Sequence, residues 1–438
     1  MAELGRRCPL CEKEFPADAS EWTCSGCGAN LDVLYDYATI RNTWSRDELG
    51  GDPERSMWRY RAILPVEEGF FVPPLLTGWT PLTPAARLGS DLGFGSLYLK
   101  EDNRNPTGSL KDRASAMAVA RAVAEGHRIL ACASTGNAAS ALAGMCASAG
   151  LTSVILVPES TPAGKLAQII AFGAYLIRVE GIYDVAFDLA AEACTRFGWY
   201  NRNTGTNPYL SEGKKTVSFE IAEQLDWKPP DWVFVPVGDG NIIASVGKGF
   251  EELLHIGFIE KLPRLVAVQS EGSSAIADAL LGDGVIRPVQ VRTIADGIAV
   301  GLPRDPQRAM RAIRHSNGVA LKVTDGEILE AQSLLARNTG VFVEPAAAAS
   351  LAGLVRMAGQ GQVDRDDTVV LLLTGTGLKD TASILDRFPP VEPIPARLEE
   401  VERRLAEDPL DTHGGSRGRS QNPSQNPSPS PSRTGDGS

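Results

Sequence analysis

The middle of the chain alternates short apolar runs with alanine-rich segments, and this pattern constrains the fold more than any other feature. The runs do not alternate between apolar and polar residues, and segments of helical composition such as Arg113–Glu125 and Ala138–Ala149 separate them. Such runs indicate strands buried on both faces of a helix-covered parallel sheet. The sequence therefore predicts an α/β protein with largely parallel sheets. The predicted strands are Leu97–Lys100, Ile129–Ala133, Val154–Val157, Trp232–Val237, Leu265–Val268 and Val369–Leu373.

Composition excludes several classes of protein. Of 438 residues, 43% are apolar and 22% are charged, which is ordinary for a soluble chain of two or three domains. The 43 basic and 54 acidic residues give a net charge of −11, whereas nucleic acids and anionic membranes attract basic surfaces. No run approaches the roughly 18 apolar residues of a spanning helix, and the first residues lack the apolar core of a signal peptide. We expect a cytoplasmic protein that binds neither nucleic acid nor membrane.

Four of the seven cysteines lie in one short amino-terminal segment. Cys8, Cys11, Cys24 and Cys27 follow a C-x2-C-x12-C-x2-C spacing, which places four thiolates for tetrahedral zinc. A reducing compartment favours metal over disulfides, and the absence of an acid–base partner nearby makes any zinc structural. We predict a zinc-ribbon-like segment over residues 1–37, the alternatives being a ribbon that has lost its metal or four free thiols. The other three cysteines are predicted to be buried core residues: Cys132, Cys146 and Cys194.

The carboxyl end differs from the rest of the chain. Residues 399–407 have the composition of a charged helix, and beyond Asp411 the chain is rich in serine, proline and asparagine and has no large apolar residue. Such a tail cannot bury enough surface to offset its ordering entropy, so we predict disorder. The sequence thus divides into residues 1–37, an α/β region over 38–398 and a tail over 399–438.

Three glycine-rich turns each follow a predicted strand and open a predicted helix. They span Ala133–Ala139, Val237–Ile242 and Leu373–Asp380. Ligands of parallel sheets bind at the carboxyl ends of strands, where helix N-termini offer free N–H groups to anions. Neither the nucleoside-triphosphate loop nor the dinucleotide fingerprint fits these turns. The sequence predicts an anion site of another kind.

A lysine stands in a fourth polar turn, Asn105–Arg113. Lys111 follows Pro-Thr-Gly-Ser-Leu and precedes a predicted helix. A lysine at a helix start is usually solvated, but one buried near other cations becomes a nucleophile toward an aldehyde. The residues alone leave both interpretations open.

Taken together, NPTGSLKDR, STGNAA, VPVGDGN and TGTGLKD, in this order, resemble the fold-type II pyridoxal-phosphate enzymes, and among them the threonine synthases. The segments TGWTPL, EGKKT and FVEPAAAA agree, and some members also carry a four-cysteine knuckle. The resemblance runs from about residue 8 to about 385. It implies two three-layer parallel-sheet domains, the smaller and mobile one at about 130–215, pyridoxal 5'-phosphate as cofactor, an amino-acid substrate and a homodimer.

The resemblance also assigns roles to single residues. Lys111 would bond to the cofactor aldehyde and later move protons as a free amine. Asn137 would contact the 3-oxygen of the pyridine ring, and Thr374 the ring nitrogen. Backbone N–H groups would surround the cofactor phosphate, with Asp239 turned away from it, at Gly238, Asp239, Gly240, Asn241 and Ile242. The substrate would be bound by Ser109, Ser134, Thr135, Gly136 and Ala138.

The implied reaction eliminates phosphate from O-phospho-L-homoserine and adds water to give L-threonine. The leaving phosphate needs a second anion site, for which the sequence offers Lys100, Ser109, Lys111, Arg113 and Lys214. Many bacterial members place an arginine just before the segment that corresponds to Glu212–Thr216, and residues 207–211 contain none. Many members also have an acid and an amide that residues 76–82 lack.

These departures leave the substrate open. Thr293–Val300 resembles a segment of the threonine and serine dehydratases, which eliminate a β-hydroxyl and release ammonia. Replacement enzymes that act on O-phosphoserine, such as cysteate synthase, are a further alternative, and a non-catalytic zinc-ribbon binding protein is the last. We expect Glu344, which precedes Pro345, to satisfy free N–H groups at a helix start rather than to take part in catalysis.

Overall fold

The computed structural model describes residues 3–19, 21–387 and 392–407. One compact unit extends to Ile384, and a second unit begins at Leu385. The strands are β1 (Glu3–Arg7), β2 (Glu14–Pro16), β3 (Asp32–Tyr35), β4 (Leu82–Pro84), β5 (Ser96–Lys100), β6 (Ile129–Ala133), β7 (Thr152–Pro158), β8 (Tyr175–Val179), β9 (Tyr200–Asn201), β10 (Trp232–Pro236), β11 (Arg264–Ser270), β12 (Val319–Val323) and β13 (Thr368–Leu372).

The helices alternate with the strands along most of the first unit. They are α1 (Tyr37–Thr43), α2 (Arg46–Gly51), α3 (Ala86–Leu92), α4 (Lys111–Ala124), α5 (Asn137–Ala149), α6 (Ala163–Ala171), α7 (Tyr183–Phe197), α8 (Tyr209–Gln224), α9 (Asn241–His255), α10 (Ala275–Leu281), α11 (Pro306–His315), α12 (Asp325–Thr339), α13 (Pro345–Gly359), α14 (Ala382–Leu385) and α15 (Leu398–Glu407). Short 3-10 helices span Met57–Ile63, Asp102–Arg104, Asp296–Ile298 and Gly377–Lys379.

Two mainly parallel sheets confirm the α/β prediction. The larger has the order β12-β11-β10-β13-β5-β4, in which β4 alone runs antiparallel to its neighbour, and the smaller is parallel throughout in the order β8-β7-β6-β9. Each apolar run predicted as a strand overlaps an observed strand, and the predicted and observed ends differ by only a few residues. All five residues of β10 are buried, as expected for a strand covered on both faces.

Helices α4 and α8 pack closely beneath the Lys111 turn. Most of α8 is buried, and a Cβ on Gly213 would overlap the carbonyl oxygen of Arg113 in α4. A glycine here allows the two backbones to approach, and the position of the first turn of α4 depends on that approach.

A buried ion-pair network lies at the amino end of α4. Arg113 Nε donates to Asp102 Oδ2 at 2.7 Å, and Arg113 Nη2 donates to Glu220 Oε2 at 2.8 Å. Lys100 Nζ donates to the same Glu220 oxygen at 2.7 Å. Burial alone would raise the pKa of Glu220, but Arg113 and Lys100 hold it at about 2. These four side chains are fully buried.

The amino-terminal segment forms a small antiparallel sheet in the order β2-β1-β3. Cys8 and Cys11 follow β1, and Cys24 and Cys27 lie in the loop between β2 and β3. The three remaining cysteines are buried, which confirms that prediction.

The second unit contains α15, whose described side chains are exposed and form ion pairs such as Arg403 with Glu407. This helix agrees with the charged helix predicted at 399–407. The predicted disorder beyond Asp411 falls outside the described residues.

Among the described helices, none is both long and apolar enough to cross a bilayer.

The close approach at Gly213 generates a stability prediction. We expect Gly213→Ala to lower the free energy of unfolding by about 1–3 kcal/mol, because the added methyl group forces α8 away from α4. The control is Gly326→Ala in α12, where a Cβ would meet only Thr324 Oγ1 at 3.8 Å. This change should be neutral or stabilise the helix by up to about 1 kcal/mol. Urea unfolding followed by tryptophan fluorescence measures both, and equal effects would contradict the packing argument.

Candidate active site

A cavity of about 1580 Å³ lies at the carboxyl ends of β6, β10 and β13. The turns that follow these strands are the three glycine-rich turns singled out in the sequence, and Lys111 faces them from the start of α4. The structure thus brings together nearly all of the residues predicted for the cofactor and the substrate. The predicted residues that line the cavity are Lys111, Ser134, Thr135, Gly136, Asn137, Ala138, Gly238, Asp239, Gly240, Asn241, Ile242 and Thr374.

The two residues after Lys111 fix its direction. Asp112 accepts hydrogen bonds from the backbone N and the Oγ1 of Thr107, at 3.0 and 2.6 Å, while Arg113 is held in the buried ion-pair network. Successive residues of a helix point about 100° apart, so Asp112 and Arg113 occupy the protein side of the first turn. Lys111 is left on the side that faces the cavity.

The surroundings of Lys111 favour a neutral amine. Burial away from solvent lowers the pKa of Lys111, and the positive charge of Arg202 lowers it further. The carboxylates of Asp239 and Glu344 act in the opposite direction and raise it. Within the described part of the chain, no carboxylate lies within 4 Å of the Lys111 amine. A lysine with a lowered pKa is a better nucleophile and base near neutral pH.

The turn after β10 has a tight shape that requires glycine at two positions. A Cβ at Gly238 would lie 3.0 Å from the Cα of Ile298, and one at Gly240 would lie 2.7 Å from the carbonyl oxygen of Asp305. Gly240 also has a φ of +89°, in the left-handed region that favours glycine. The turn ends at the first residue of α9, whose free N–H groups attract a phosphate.

Asp239 is the acidic residue of this turn, and the resemblance implies that it turns away from the cofactor phosphate. Its Oδ1 accepts a hydrogen bond from the backbone N of Arg304 at 3.2 Å. Burial raises the pKa of Asp239, while the Lys111 charge opposes the shift. Its carboxylate is thus bound to a backbone donor outside the turn.

The side chain of Asn137 is held by Glu344 and Lys379, which are distant from it in the sequence. Its Nδ2 donates to Oε1 and Oε2 of Glu344 at 3.1 and 3.0 Å, and its Oδ1 accepts from Lys379 Nζ at 3.0 Å. Lys379 also donates to Ser140 Oγ at 2.9 Å. The amide of Asn137 is thereby oriented with one edge toward Glu344 and the other toward Lys379.

Glu344 corrects one expectation. It precedes α13, but its side chain makes no capping hydrogen bond to that helix. The carboxylate instead accepts from Asn137 in the cavity wall, and burial raises its pKa, although Asn137, Lys379 and Lys111 oppose the shift. The position of Glu344 before Pro345 therefore suggested a helix cap, whereas the residue lines the cavity.

Three predicted anion-binding residues lie elsewhere. Lys100 and Arg113 are taken up by the buried network with Asp102 and Glu220, away from the cavity lining. Ser109 is completely buried, and its backbone pairs with that of Gly375 below the cavity. This placement argues against substrate contacts for Lys100 and Arg113, whereas the Ser109 Oγ has no hydrogen-bond partner in the described part of the chain and its role stays a prediction.

Two buried cations stand close to Lys111. Arg202 lines the cavity, donates to Ser115 Oγ at 3.1 Å, and leaves Nη1 without a partner. Lys214 donates to Asn241 Oδ1 behind the glycine turn, and burial lowers its pKa strongly, with Lys111 adding to the shift. Neither basic group has a carboxylate within 4 Å in the described chain. A buried basic group without an acidic partner is costly to keep charged unless an anion accompanies it.

The segment that resembles the dehydratases forms another wall. Most of Thr293–Val300 lines the cavity, and Asp296 forms an ion pair with Lys165 of α6 at 2.8 Å. Both side chains of this ion pair are substantially exposed, so it contributes little to stability. It lies where the smaller sheet's helices meet the larger sheet's loops.

The four cysteines of the amino-terminal segment form one cluster. Their Sγ atoms lie within 4.8 Å of one another, with separations of 3.4 Å for Cys8 and Cys27 and 3.4 Å for Cys11 and Cys24. Zinc–sulfur bonds of about 2.3 Å in a tetrahedron place the sulfurs about 3.8 Å apart. The donor set and its spacing therefore fit a tetrahedral zinc ion.

Comparisons with known proteins agree with this geometry. The sequence model of a family described as pyridoxal-phosphate dependent enzyme matches residues 74–375. The chain belongs to this family. A threonine synthase of Methanocaldococcus jannaschii is 41% identical over 378 residues, which cover 86% of this chain and 93% of that protein. A threonine synthase of Methanosarcina acetivorans is 39% identical over 402 residues, covering 91% and 98%. The resemblance read from the motifs is thereby confirmed.

A solved structure extends the comparison to the fold. The processed form of threonine deaminase isoform 2 from Solanum lycopersicum matches with a TM-score of 0.61 at 21% identity, covering 78% of this chain and 93% of that one. At this identity the likeness shows a shared fold. The predicted fold class of the family is confirmed.

The charge of Arg202 generates a pH prediction. Since the charge of Arg202 lowers the pKa of Lys111, we expect Arg202→Met to raise this pKa. The amine is neutral above its pKa, so the pH at which Lys111 bonds to pyridoxal phosphate should move upward. Rates of cofactor incorporation measured by absorbance across pH test this shift. The exposed Arg196→Met is the control, and an unchanged or lowered profile in Arg202→Met would contradict the prediction.

Proposed function

We propose that this chain eliminates phosphate from O-phospho-L-homoserine and adds water to give L-threonine, as a pyridoxal-phosphate-dependent lyase. The observation that carries the proposal is the set of basic side chains near the cavity that have no acidic partner. Arg202 lines the cavity with its Nη1 unpartnered, and Lys214 lies close to Lys111; neither has a carboxylate within 4 Å among the residues described. A cofactor phosphate and a substrate phosphate together would supply the negative charge that these basic groups lack. The names of the two archaeal relatives support the same activity.

The residues present fit the cofactor. Lys111 would carry it, the turn from Gly238 to Ile242 would hold its phosphate, and Asn137 and Thr374 would contact its ring. When bound, pyridoxal phosphate supplies an electron sink for the charge left at the substrate's α-carbon. Gly238 and Gly240 leave room for the phosphate because a larger residue would collide with Ile298 or Asp305.

Lys111 would move the protons of the reaction. Its lowered pKa keeps the free amine neutral, so that its Nζ can take the proton from the α-carbon of the substrate. Asp112 and Arg113 hold the backbone of the first turn of α4 while the amine moves, because both are anchored in the protein. The amine of Lys111 would then move by rotation of its own side chain while the backbone stays in place.

The start of α5 would bind the substrate carboxylate. Ser134, Thr135 and Gly136 line the cavity just before the helix, and Gly136 N donates to Ser134 Oγ at 3.2 Å. Hydroxyls and free backbone N–H groups at a helix start suit an anion. The smaller sheet and its helices, at about 130–215, would close over the substrate and exclude water until it is needed.

A dehydratase that acts on threonine or serine is the second candidate. It is favoured by Thr293–Val300, which lines the cavity as well as resembling those enzymes in sequence. The two candidates differ in the leaving group, since only the first requires a site for a substrate phosphate.

An assay with four substrates separates the candidates. We expect O-phospho-L-homoserine to yield equal amounts of phosphate and threonine, with little keto acid from threonine or serine and little phosphate from O-phosphoserine. Lys111→Ala should reduce the rate by at least about 1000-fold, because it removes both the cofactor bond and the base. The exposed Lys261→Ala should leave the rate unchanged. Keto acid from the hydroxy amino acids without threonine from the phosphate ester would contradict the proposal.

We also propose that the four cysteines hold one structural zinc ion and that the chain forms a homodimer. The tetrahedral spacing of the sulfurs supports the first part, and the resemblance supports the second. Metal analysis of the purified chain should find about one zinc per chain. Cys11→Ser should lose the metal, whereas Cys194→Ser, in the buried core, should keep it. Full zinc content in Cys11→Ser would contradict the ligand assignment.

A further inference from the structure

The four-cysteine segment contacts the loop that supports the glycine turn. Asn30 Nδ2 donates to the carbonyl oxygen of Arg304 at 2.9 Å. Asp32 Oδ1 accepts from Arg308 Nε at 2.7 Å and also contacts Arg308 Nη2 at 2.7 Å. These contacts join residues that are more than 270 positions apart in the sequence. The segment is therefore attached to residues 304–308 at two points.

Residues 304–308 are in turn bonded to the glycine turn. Asp305 N donates to the carbonyl oxygen of Asp239 at 2.9 Å, and Arg304 N donates to Asp239 Oδ1 at 3.2 Å. Asn241 Nδ2 donates to Asp305 Oδ2 at 2.7 Å, and Arg308 Nη1 donates to the same oxygen at 2.9 Å. The turn is thus held by backbone and side-chain bonds from residues 304–308.

The connection has little freedom. Arg308, Asp305 and Asn241 are all buried, and hydrogen bonds that involve charged groups are the stronger ones. The space between the carbonyl oxygen of Asp305 and Gly240 is too small for a Cβ. A displacement of residues 304–308 would therefore move the turn itself.

The amino-terminal segment is itself well placed to act as a fixed support. Asp32 begins β3 and pairs with Arg7 of β1, the strand that ends just before Cys8. Asn30 pairs with Thr23, which precedes Cys24. Asn30 and Asp32 are therefore paired through the backbone with the residues that immediately precede Cys24 and Cys8.

We propose that the four-cysteine segment positions the turn Gly238–Ile242, through Asn30 and Asp32 acting on residues 304–308, so that the turn is preformed for the cofactor phosphate. This inference rests on the proposed assignment of the turn to that phosphate. Asn30 and Asp32 are positioning residues, since they act through Arg304, Asp305 and Arg308 rather than by contact with the ligand. Arg308 is shared between Asp32 and Asp305, so loss of Asp32 leaves its charge to Asp305 alone and disturbs the bond to Asn241.

Cofactor titration of the full-length, cofactor-free chain tests the inference. We expect Asp32→Asn to weaken binding of pyridoxal 5'-phosphate about tenfold, which corresponds to about 1.4 kcal/mol. Binding of pyridoxal, which has no phosphate, should change less than twofold. The matched control is Glu12→Gln, which breaks an exposed ion pair with Arg7 in the same segment. It should bind both compounds as the unaltered chain does.

A second variant and a second measurement guard against a general loss of structure. Asn30→Ala removes one hydrogen bond to a backbone oxygen and should weaken pyridoxal phosphate binding about threefold. The phosphorus NMR signal of the bound cofactor should shift in both variants and not in Glu12→Gln. If Asp32→Asn and Asn30→Ala bind pyridoxal phosphate like the unaltered chain, or lose both compounds equally, the inference is overturned. If the unaltered chain binds neither compound, the proposed function fails instead.

Discussion

The ion pairs of one buried guanidinium fix the geometry on which the site depends. Arg113 is shared between Asp102 and Glu220, and Glu220 is shared again with Lys100. Removing one partner from such a network costs about 3–5 kcal/mol, because it leaves a charge buried and unpaired. The network therefore resists any rotation of the first turn of α4. Thr107 holds the neighbouring Asp112 by a hydrogen bond, so that the side chain of Lys111 is directed into the cavity.

The same anchoring explains why a reactive lysine stands at the start of a helix. A free helix end would leave its side chain in solvent with an ordinary pKa. Here α8 approaches α4 closely at Gly213, and the turn after β13 pairs with the backbone of Ser109 and Leu110. Loss of solvent then lowers the pKa of Lys111, while the nearby acids Asp239 and Glu344 limit the shift. The packing that fixes the start of α4 therefore also buries Lys111 and lowers its pKa.

The sequence predicted the central strands well because each is buried on both faces and reads as an unbroken apolar run. The sequence did not predict the edge strands β8 and β12, since their residues are largely exposed or half-buried and one basic residue interrupts each apolar run. The three glycine turns and Lys111 could be recognised because a strand, a turn and a helix follow one another locally. Lys100 and Arg113 were interpreted as anion-binding cations because their partner Glu220 is more than 100 residues away. Glu344 and Lys379 lie in the FVEPAAAA and TGTGLKD segments, but no local pattern indicated that they contact Asn137, and Arg202 lies in none of the quoted segments. Only the tertiary fold brings these residues to the cavity.

The account depends most directly on which amine carries the cofactor. Reduction of the pyridoxal-phosphate-loaded chain with borohydride, followed by mass mapping of its peptides, identifies that amine. We predict a single modified site at Lys111, because burial lowers the pKa of its amine and this amine interacts with Asp239 of the glycine turn. A label on Lys214 or Lys379, or on scattered surface lysines, would contradict it.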